Sequence, residues 1–173
     1  APPQGDVENA LLRALLPPAS LGENLSLSQL VVGEFQDQKH SFHAEVEVTP
    51  ARMVVVGLSS MGVPIFTLEQ DAGAVKVETP GADSFPFDPR HILSDFQIAY
   101  WPEAVLRDKF QTVGLTVRED STQGDREVLA EDGEVLVKVT FLNNGESASD
   151  IIIEHFAPPY RLRIKTFDSS ESP

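Results

Sequence analysis

The chain has 173 residues, and its 27 acidic against 13 basic side chains give it a formal charge of −14 at pH 7. This excess of carboxylates argues against a nucleic-acid partner, because phosphate binding depends on clustered lysine and arginine, and against electrostatic adhesion to anionic lipid. Hydrophobic residues make up 41% of the chain, which is enough for a folded core, and no cysteine is present to form disulfides or to bind a metal.

The composition is even along the chain, with no internal repeat and no linker between domains. We therefore expect one domain over residues 7–167, with a flexible leader at residues 1–6 and a frayed tail at residues 168–173. No apolar run approaches the roughly 20 residues that span a bilayer, so we expect the chain itself to be soluble.

The first half of the chain changes from a helical to a strand periodicity. Apolar residues recur at helical spacing from Val7 to Leu16, which predicts a short helix that Pro17-Pro18 ends. Apolar and polar residues then alternate, as in strands with one buried face. Five strands are predicted on this basis, at residues 25–35, 41–49, 52–58, 65–70 and 74–78.

The strand pattern breaks once, for a pair of helices. Asp88 is predicted to be the N-cap of the first helix and Pro89 its first residue. This helix runs to Trp101 with one apolar stripe, formed by Ile92, Leu93, Phe96, Ala99 and Tyr100. Pro102 ends it and opens a second helix at residues 103–110.

Strand periodicity resumes after the helices. Five further strands are predicted at residues 115–119, 127–131, 135–142, 150–156 and 160–167. The strongest hairpin signals are Asp132-Gly133 and Asn144-Gly145. The sequence thus predicts an α+β fold, mainly antiparallel, in which about 10–11 strands form one large curved sheet and the helices cover its apolar concave face.

The sequence contains no G-x-S-x-G, P-loop, G-x-G-x-x-G or H-E-x-x-H motif. Its four histidines are scattered, and on a strand the offset between His40 and His43 places these two on opposite faces. The acidic residues are also scattered, as on a solvated surface. We therefore expect no catalytic residue, no metal and no cofactor.

Two groups of side chains have a structural and a functional interpretation. Arg161, Arg163 and Lys165 share one strand face, either as an anion-binding strip or, as we favour, paired with acidic residues across the strands. Tyr100 and Trp101 either line a ligand pocket or fasten the helix to the sheet, and both interpretations can hold together.

The turn at residues 59–62 carries an apolar side chain, Met61, at its tip. A single exposed apolar residue needs no functional explanation, and composition alone favours that interpretation. The alternative is that this flexible side chain inserts into lipid or into a partner protein.

Three segments resemble a known family: residues 51–62, residues 88–102 and residues 160–166. They resemble a Gram-negative lipoprotein family catalogued as domain-of-unknown-function family 3261, whose members often accompany genes for fatty-acid-like and aryl-polyene biosynthesis. The resemblance extends from about Leu25 to Thr166. That family is in turn similar to LolB and LolA, the periplasmic carriers of lipoproteins, whose fold is an unclosed β-barrel with helices over an apolar cavity.

The resemblance implies a location and an anchor. Precursors in this family carry a signal peptide and a lipidated cysteine, so the resemblance implies the periplasmic face of the outer membrane, with a lipid anchor before the leader. Met61 matches the position of a hydrophobic residue that protrudes from an early hairpin of LolB, which implies membrane contact.

The resemblance also implies a function without catalysis. We expect a monomeric carrier that binds an acyl chain or another apolar ligand, such as a lipid, a lipoprotein acyl chain or an aryl-polyene-like product. The residues expected to enclose the ligand are Ile92, Phe96, Tyr100, Trp101 and Leu106. The alternative is an accessory module of an export or biosynthetic complex, with a filled core, a periplasmic protein partner and no ligand.

Overall fold

The computed structural model describes residues 10–72, 74–79, 89–120, 124–142, 149–156 and 159–167. Within these residues ten antiparallel strands form one sheet in the order β5-β4-β3-β2-β1-β10-β9-β8-β7-β6. The strands are β1 (Leu25–Phe35), β2 (Gln38–Val48), β3 (Met53–Leu58), β4 (Pro64–Gln70), β5 (Val75–Glu78), β6 (Thr116–Asp120), β7 (Asp125–Leu129), β8 (Val135–Leu142), β9 (Ser149–Phe156) and β10 (Pro159–Phe167).

The sheet consists of two five-strand meanders joined in the middle. The first meander runs outwards from β1 to β5 and the second runs inwards from β6 to β10, and β1 pairs with β10 from Ser28–Phe167 to Glu34–Arg161. The outermost strands β5 and β6 do not pair with each other, so the barrel is unclosed. The predicted α+β fold with an unclosed antiparallel barrel is confirmed.

The helical segments lie on one face of this sheet. They are residues 10–13, a 3₁₀ turn at Pro18–Leu21, helix α1 (Arg90–Tyr100) and helix α2 (Glu103–Gln111), which packs against β6. Pro102 separates the two long helices as predicted. The predicted start of α1 is wrong by one residue, because Pro89 is its N-cap rather than its first helical residue. Asp88 lies outside the described residues.

Most strand predictions are confirmed to within a residue, and the larger shifts have a local cause. Strand β2 begins three residues earlier than predicted, because Gln36 and Asp37 adopt positive φ angles of 49° and 64° and form a two-residue hairpin turn. Strand β7 is shifted two residues towards the N-terminus. Gly133, with φ of 87°, confirms the turn before β8, whereas Asn144-Gly145 lies outside the described residues.

One face of the sheet, called here the inner face, is buried along all the longer strands. Strand β2 shows the predicted alternation: Phe42, Ala44, Val46 and Val48 are buried, and the residues between them are exposed. Gly57 allows close packing on this face, since a Cβ atom there would lie 2.3 Å from the Phe66 ring. The hydrophobic core therefore fills the space between the inner face and the helical segments. No helix in the described part of the chain is long and apolar enough to cross a membrane.

Candidate functional site

Helix α1 lies inside the curved sheet and is buried on every side. All residues from His91 to Ala99 are buried, including the polar Ser94, Asp95 and Gln97. The prediction of a single apolar stripe is therefore wrong for this helix, because α1 is enclosed by the sheet rather than lying on its surface with one wet face. Buried polar groups are stable only where they are paired, so the partners of these side chains determine how α1 is held.

Gln97 binds the N-terminal segment through both ends of its amide. Its Oε1 accepts a hydrogen bond from the Leu16 backbone N–H at 2.8 Å, and its Nε2 donates to the Leu16 carbonyl at 2.9 Å. Nε2 also donates to Oε1 of Gln70 at 2.9 Å, and Gln70 Nε2 donates to the Leu16 carbonyl at 2.9 Å. This buried network joins α1, strand β4 and the segment before the 3₁₀ turn.

The C-terminal end of α1 is held by a buried arginine. The Nη1 atom of Arg126, on β7, donates to the carbonyl oxygens of Ile98 at 2.6 Å and Trp101 at 2.8 Å. These carbonyls belong to the last turn, where the helix dipole favours a cation. Arg126 also donates from Nε to Glu119 at 2.8 Å, and its guanidinium lies 5.7 Å from the centre of the Phe141 ring.

The two aromatic residues that end α1 each make a polar contact. Gln29 Nε2 donates to the Tyr100 hydroxyl oxygen at 2.6 Å and to Oγ1 of Thr166 at 2.9 Å. Trp101 Nε1 donates to Oγ of Ser20 at 2.8 Å. These contacts support the interpretation that Tyr100 and Trp101 fasten the helix to the sheet and to the N-terminal segment.

A carboxyl group is buried in the middle of the interface. Asp95 is 1% exposed and accepts a hydrogen bond at Oδ2 from the Tyr160 hydroxyl of β10. Its Oδ1 lies 3.8 Å from Nε2 of His155 on β9. The His155 ring stacks on the Tyr160 ring at 4.5 Å and meets the ring of His91 edge-on at 5.2 Å.

Four polar side chains of α1 thus meet a polar side chain on the inner face, namely His91, Asp95, Gln97 and Tyr100. The polar residues of the inner face were not predicted from the sequence, because isolated polar residues are usually exposed. One signal was present: Gln29 and Gln70 occur in phase with the buried apolar residues of their strands, as do Arg126, His155 and Tyr160. A polar residue in phase with a buried face requires a partner, and α1 provides these partners.

The five predicted ligand-enclosing residues lie on α1, at its C-cap and on α2, which cover the inner face. Ile92, Phe96, Trp101 and Leu106 are at most 1% exposed, and Tyr100 is half-buried with its ring stacked at 6.1 Å from Phe96. All five belong to or pack against the hydrophobic core. Their contact with a ligand stays a prediction.

Met61 protrudes from a turn of defined geometry. Its side chain is 88% exposed, and the neighbouring Val63 is 58% exposed. Ser59 stabilises the turn, because its Oγ accepts hydrogen bonds from the N–H groups of Met61 and Val63, both at 3.2 Å. Gly62 provides the positive φ of 79° that the turn requires. The membrane contact of Met61 stays a prediction.

Two open clefts reach the edges of the α1 interface. One, of about 490 Å³, is lined by His155 and Tyr160 and by residues of the β1–β2 and β9–β10 hairpins. The other, of about 500 Å³, is lined by Gln70, Arg90 and Lys109 and by residues of the N-terminal segment. Both clefts therefore lie beside side chains that hold α1 in place.

The positions of the basic residues on β10 favour cross-strand pairing with acidic residues over an anion-binding strip. Arg161 lies between Glu34 and Glu154 in the sheet, and Lys165 lies opposite Asp150, so the basic face of β10 has acidic cross-strand neighbours. In the ranges that the structure describes, no group of three or more histidine, cysteine or acidic residues could hold a metal ion.

Comparisons with known proteins agree with this architecture. The family described as "Protein of unknown function (DUF3261)" matches residues 26–168. A LolA superfamily protein from Nitrosomonas europaea is 8% identical with a TM-score of 0.50, over 97% of this chain and 93% of that one. A domain from Vibrio parahaemolyticus, described as an outer membrane lipoprotein-sorting protein, is 9% identical with a TM-score of 0.50, over 95% and 90% of the two chains. No curated protein matches the chain.

At 8% and 9% identity the solved structures show a shared fold, and they confirm the predicted likeness to LolA.

Proposed function

The chain belongs to the DUF3261 family of proteins of unknown function, and from this membership and the geometry of α1 we propose that it is a non-catalytic carrier of an apolar ligand at the periplasmic face of the outer membrane. The ligand is an acyl chain or a similar long apolar group. The observation that carries the proposal is that the apolar inner face is covered by helical segments held through a few polar contacts, rather than by a second sheet.

Displacing α1 would expose a continuous apolar surface. The buried inner-face residues of the central strands include Val31, Val46, Val55, Val137, Ile153 and Leu162. Each CH₂ group of a ligand that leaves water for this surface contributes about 0.8 kcal/mol. A chain of ten or more carbons can therefore replace the apolar contacts of α1 without a specific polar contact.

The connection between the helices permits such a movement. Pro102 has an extended backbone, with φ of −59° and ψ of 142°, and it separates α1 from α2. Rotation at this residue moves α1 away from the sheet while α2 keeps its packing on β6. In this mechanism Ile92, Phe96, Tyr100, Trp101 and Leu106 contact the ligand as the helix moves.

The likeness to carriers of lipoproteins supports a membrane-facing role for the β3–β4 turn. We expect Met61→Asp to slow transfer of a fluorescent fatty acid to lipid vesicles by about tenfold or more, because a charge replaces an apolar side chain whose burial in lipid contributes roughly 1.5–3 kcal/mol. The thermal midpoint should not change, since Met61 is 88% exposed. Stopped-flow fluorescence measures the transfer.

Val77→Asp is the matched control, because Val77 is another exposed apolar residue, 37% exposed on the outermost strand β5. Its transfer rate should equal that of the unmodified protein. An equal transfer rate for Met61→Asp would remove Met61 from the mechanism.

The filled core favours a second candidate function. Because the structure places α1 in the space that a ligand needs, the protein could instead be an accessory module that docks onto an export or biosynthetic complex. Such a module would keep α1 in place and bind its protein partner through its outer surface.

Native mass spectrometry distinguishes the two functions. Protein purified from a Gram-negative periplasm is measured intact, and bound molecules are extracted with organic solvent and identified. A carrier should show a population with one extra lipid, acyl or polyene mass. A ligand-free mass, together with no uptake of a fluorescent fatty acid, would favour the accessory module.

A further inference from the structure

The contact between Asp95 and the sheet differs from the other polar contacts of α1, because it is built from groups that exchange protons. Asp95 lies on the helix, and it faces Tyr160 from β10 and His155 from β9. His91, one turn earlier on the helix, faces the His155 ring. All four residues are at most 5% exposed. The carrier function leaves this cluster without a role.

The cluster lies next to an open cleft at the edge of the α1 interface. In the described residues the pairing of β1 with β10 ends at Glu34–Arg161, so the ends of the β1–β2 and β9–β10 hairpins extend beyond the paired region. The cleft of about 490 Å³ lies between these hairpins. His155 and Tyr160 line this cleft and also contact Asp95, so they stand between the buried carboxyl group and the cleft.

We propose that Asp95, His155 and Tyr160 form a proton-binding site that couples the release of one proton to the displacement of α1. With α1 in place Asp95 holds the proton, and with α1 displaced the carboxyl group reaches water and releases it. The biological role of this coupling rests on the proposed function, in which displacement of α1 admits the ligand.

The physical basis is the cost of burying a carboxylate. Burial raises the pKa of Asp95 well above its ordinary value, and the hydrogen bond from Tyr160 opposes this rise only in part. The pKa of an exposed aspartate is about 3.9. Between that value and the raised pKa, the protein with α1 in place binds more protons than the displaced form, so rising pH favours displacement.

Other titratable or charged groups also contact α1. His91 and His155 contact the cluster directly, and Arg126 binds the opposite end of the helix through the Ile98 and Trp101 carbonyls. These three residues are present in both the unmodified protein and an Asp95→Asn variant. The difference in pH dependence between the two proteins therefore reports the carboxyl group together with its effect on the neighbouring His155.

Hydrogen exchange of the α1 amides tests the coupling without a ligand. Protection factors of Ile92 to Ala99 are measured from pH 4.5 to pH 8 and corrected for the intrinsic pH dependence of exchange. In the unmodified protein they should fall with rising pH, by at most about tenfold per pH unit for one proton, relative to those of Asp95→Asn. Parallel profiles for the two proteins would overturn the proposal.

Amides of β1 and β10 provide the internal control. If their protection falls together with that of α1, Asp95 titrates on global unfolding rather than on helix displacement, which would also overturn the proposal. If Asp95→Asn does not fold, Tyr160→Phe provides the test. It removes the hydrogen bond that lowers the pKa of Asp95, so the fall in protection should extend to higher pH than in the unmodified protein. A fall that ends at the same or a lower pH would contradict the proposal.

Uptake of the uncharged probe N-phenyl-1-naphthylamine separates this inference from the proposed function. The probe does not titrate over this pH range, so its apparent affinity should rise with pH in the unmodified protein relative to Asp95→Asn. No uptake at any pH would count against the carrier function alone, and the exchange result would stand. Uptake with the same pH dependence in both proteins would count against the proton site alone.

Discussion

Replacing Gln97 with leucine should lower the free energy of unfolding by about 3 kcal/mol, because each buried polar group left without a partner costs about 1–3 kcal/mol. Leucine is similar in size to glutamine but leaves the Leu16 N–H and Oε1 of Gln70 without the hydrogen bonds that Gln97 makes to them. The Leu16 carbonyl keeps its bond from Gln70. Urea unfolding followed by circular dichroism measures the loss.

Gln111→Leu is the matched control for this prediction. Gln111 is the exposed last residue of α2, so the same substitution there should change stability by less than about 0.5 kcal/mol. Under the proposed function, Gln97→Leu should also accelerate uptake of a fluorescent fatty acid, since α1 is held less firmly. A stability loss no larger than that of the control would mean that the amide network does not hold α1.

Replacing Arg126 with methionine should lower the free energy of unfolding by about 2–5 kcal/mol, because each buried carbonyl left without a donor costs about 1–3 kcal/mol. Methionine keeps the length and the apolar contacts of the side chain but removes every hydrogen bond that the guanidinium makes. The carbonyls of Ile98 and Trp101 then lose their donor at the end of α1, where carbonyls have no partner within the helix. The ion pair with Glu119 contributes little to this estimate because Glu119 is 38% exposed.

Arg107→Met serves as the control, because Arg107 is 54% exposed and pairs with Glu103 one helical turn away in α2. Such a pair contributes roughly 0.3–0.5 kcal/mol. Thermal and urea unfolding of the two variants therefore compare their losses in the free energy of unfolding. Similar losses for Arg126→Met and Arg107→Met would show that the helix end does not depend on Arg126.

The architecture was predictable because its signals are local. Alternation with a period of two identifies a strand with one buried face, and short turns between strands leave antiparallel neighbours as the simplest pairing. Strand β1 and strand β8 have the predicted bounds, and Pro102 separates the helices as expected. The start of β2 was not predictable in this way, because Gln36 and Asp37 are not the residues that usually signal a two-residue turn.

The site was only partly predictable. The apolar residues of α1 were identified by their spacing, and Met61 was identified by its position in a turn. The polar residues that hold α1 were not identified, because a single asparagine, glutamine or histidine in a sequence does not show whether the fold provides it with a hydrogen-bond partner. Gln97 and Gln70 are 27 positions apart, and Tyr160 and Asp95 are 65 apart. Pairings over such distances depend on the fold as a whole.

A lid on the surface and a helix inside the core make different demands on the protein. A lid on the surface loses only apolar contacts when it opens. Helix α1 must in addition lose the hydrogen bonds of Gln97, Asp95 and Tyr100 and the bonds from Arg126 to its last turn. The ligand must replace these contacts by apolar burial, which favours a long chain over a small molecule. Under the proposed function, a stable closed form would therefore go together with a preference for long ligands.

The measurement that tests the central claim most directly is photo-crosslinking with a fatty acid that carries a diazirine near its methyl end. After irradiation, mass spectrometry of proteolytic fragments identifies the residues that react. The carrier function predicts crosslinks to inner-face residues such as Val55, Val137 and Ile153, which are fully buried when α1 is in place, and competition by unlabelled fatty acid should remove them. Crosslinks confined to exposed residues such as Met61 and Phe156, or no competition, would contradict the claim that the inner face binds the ligand.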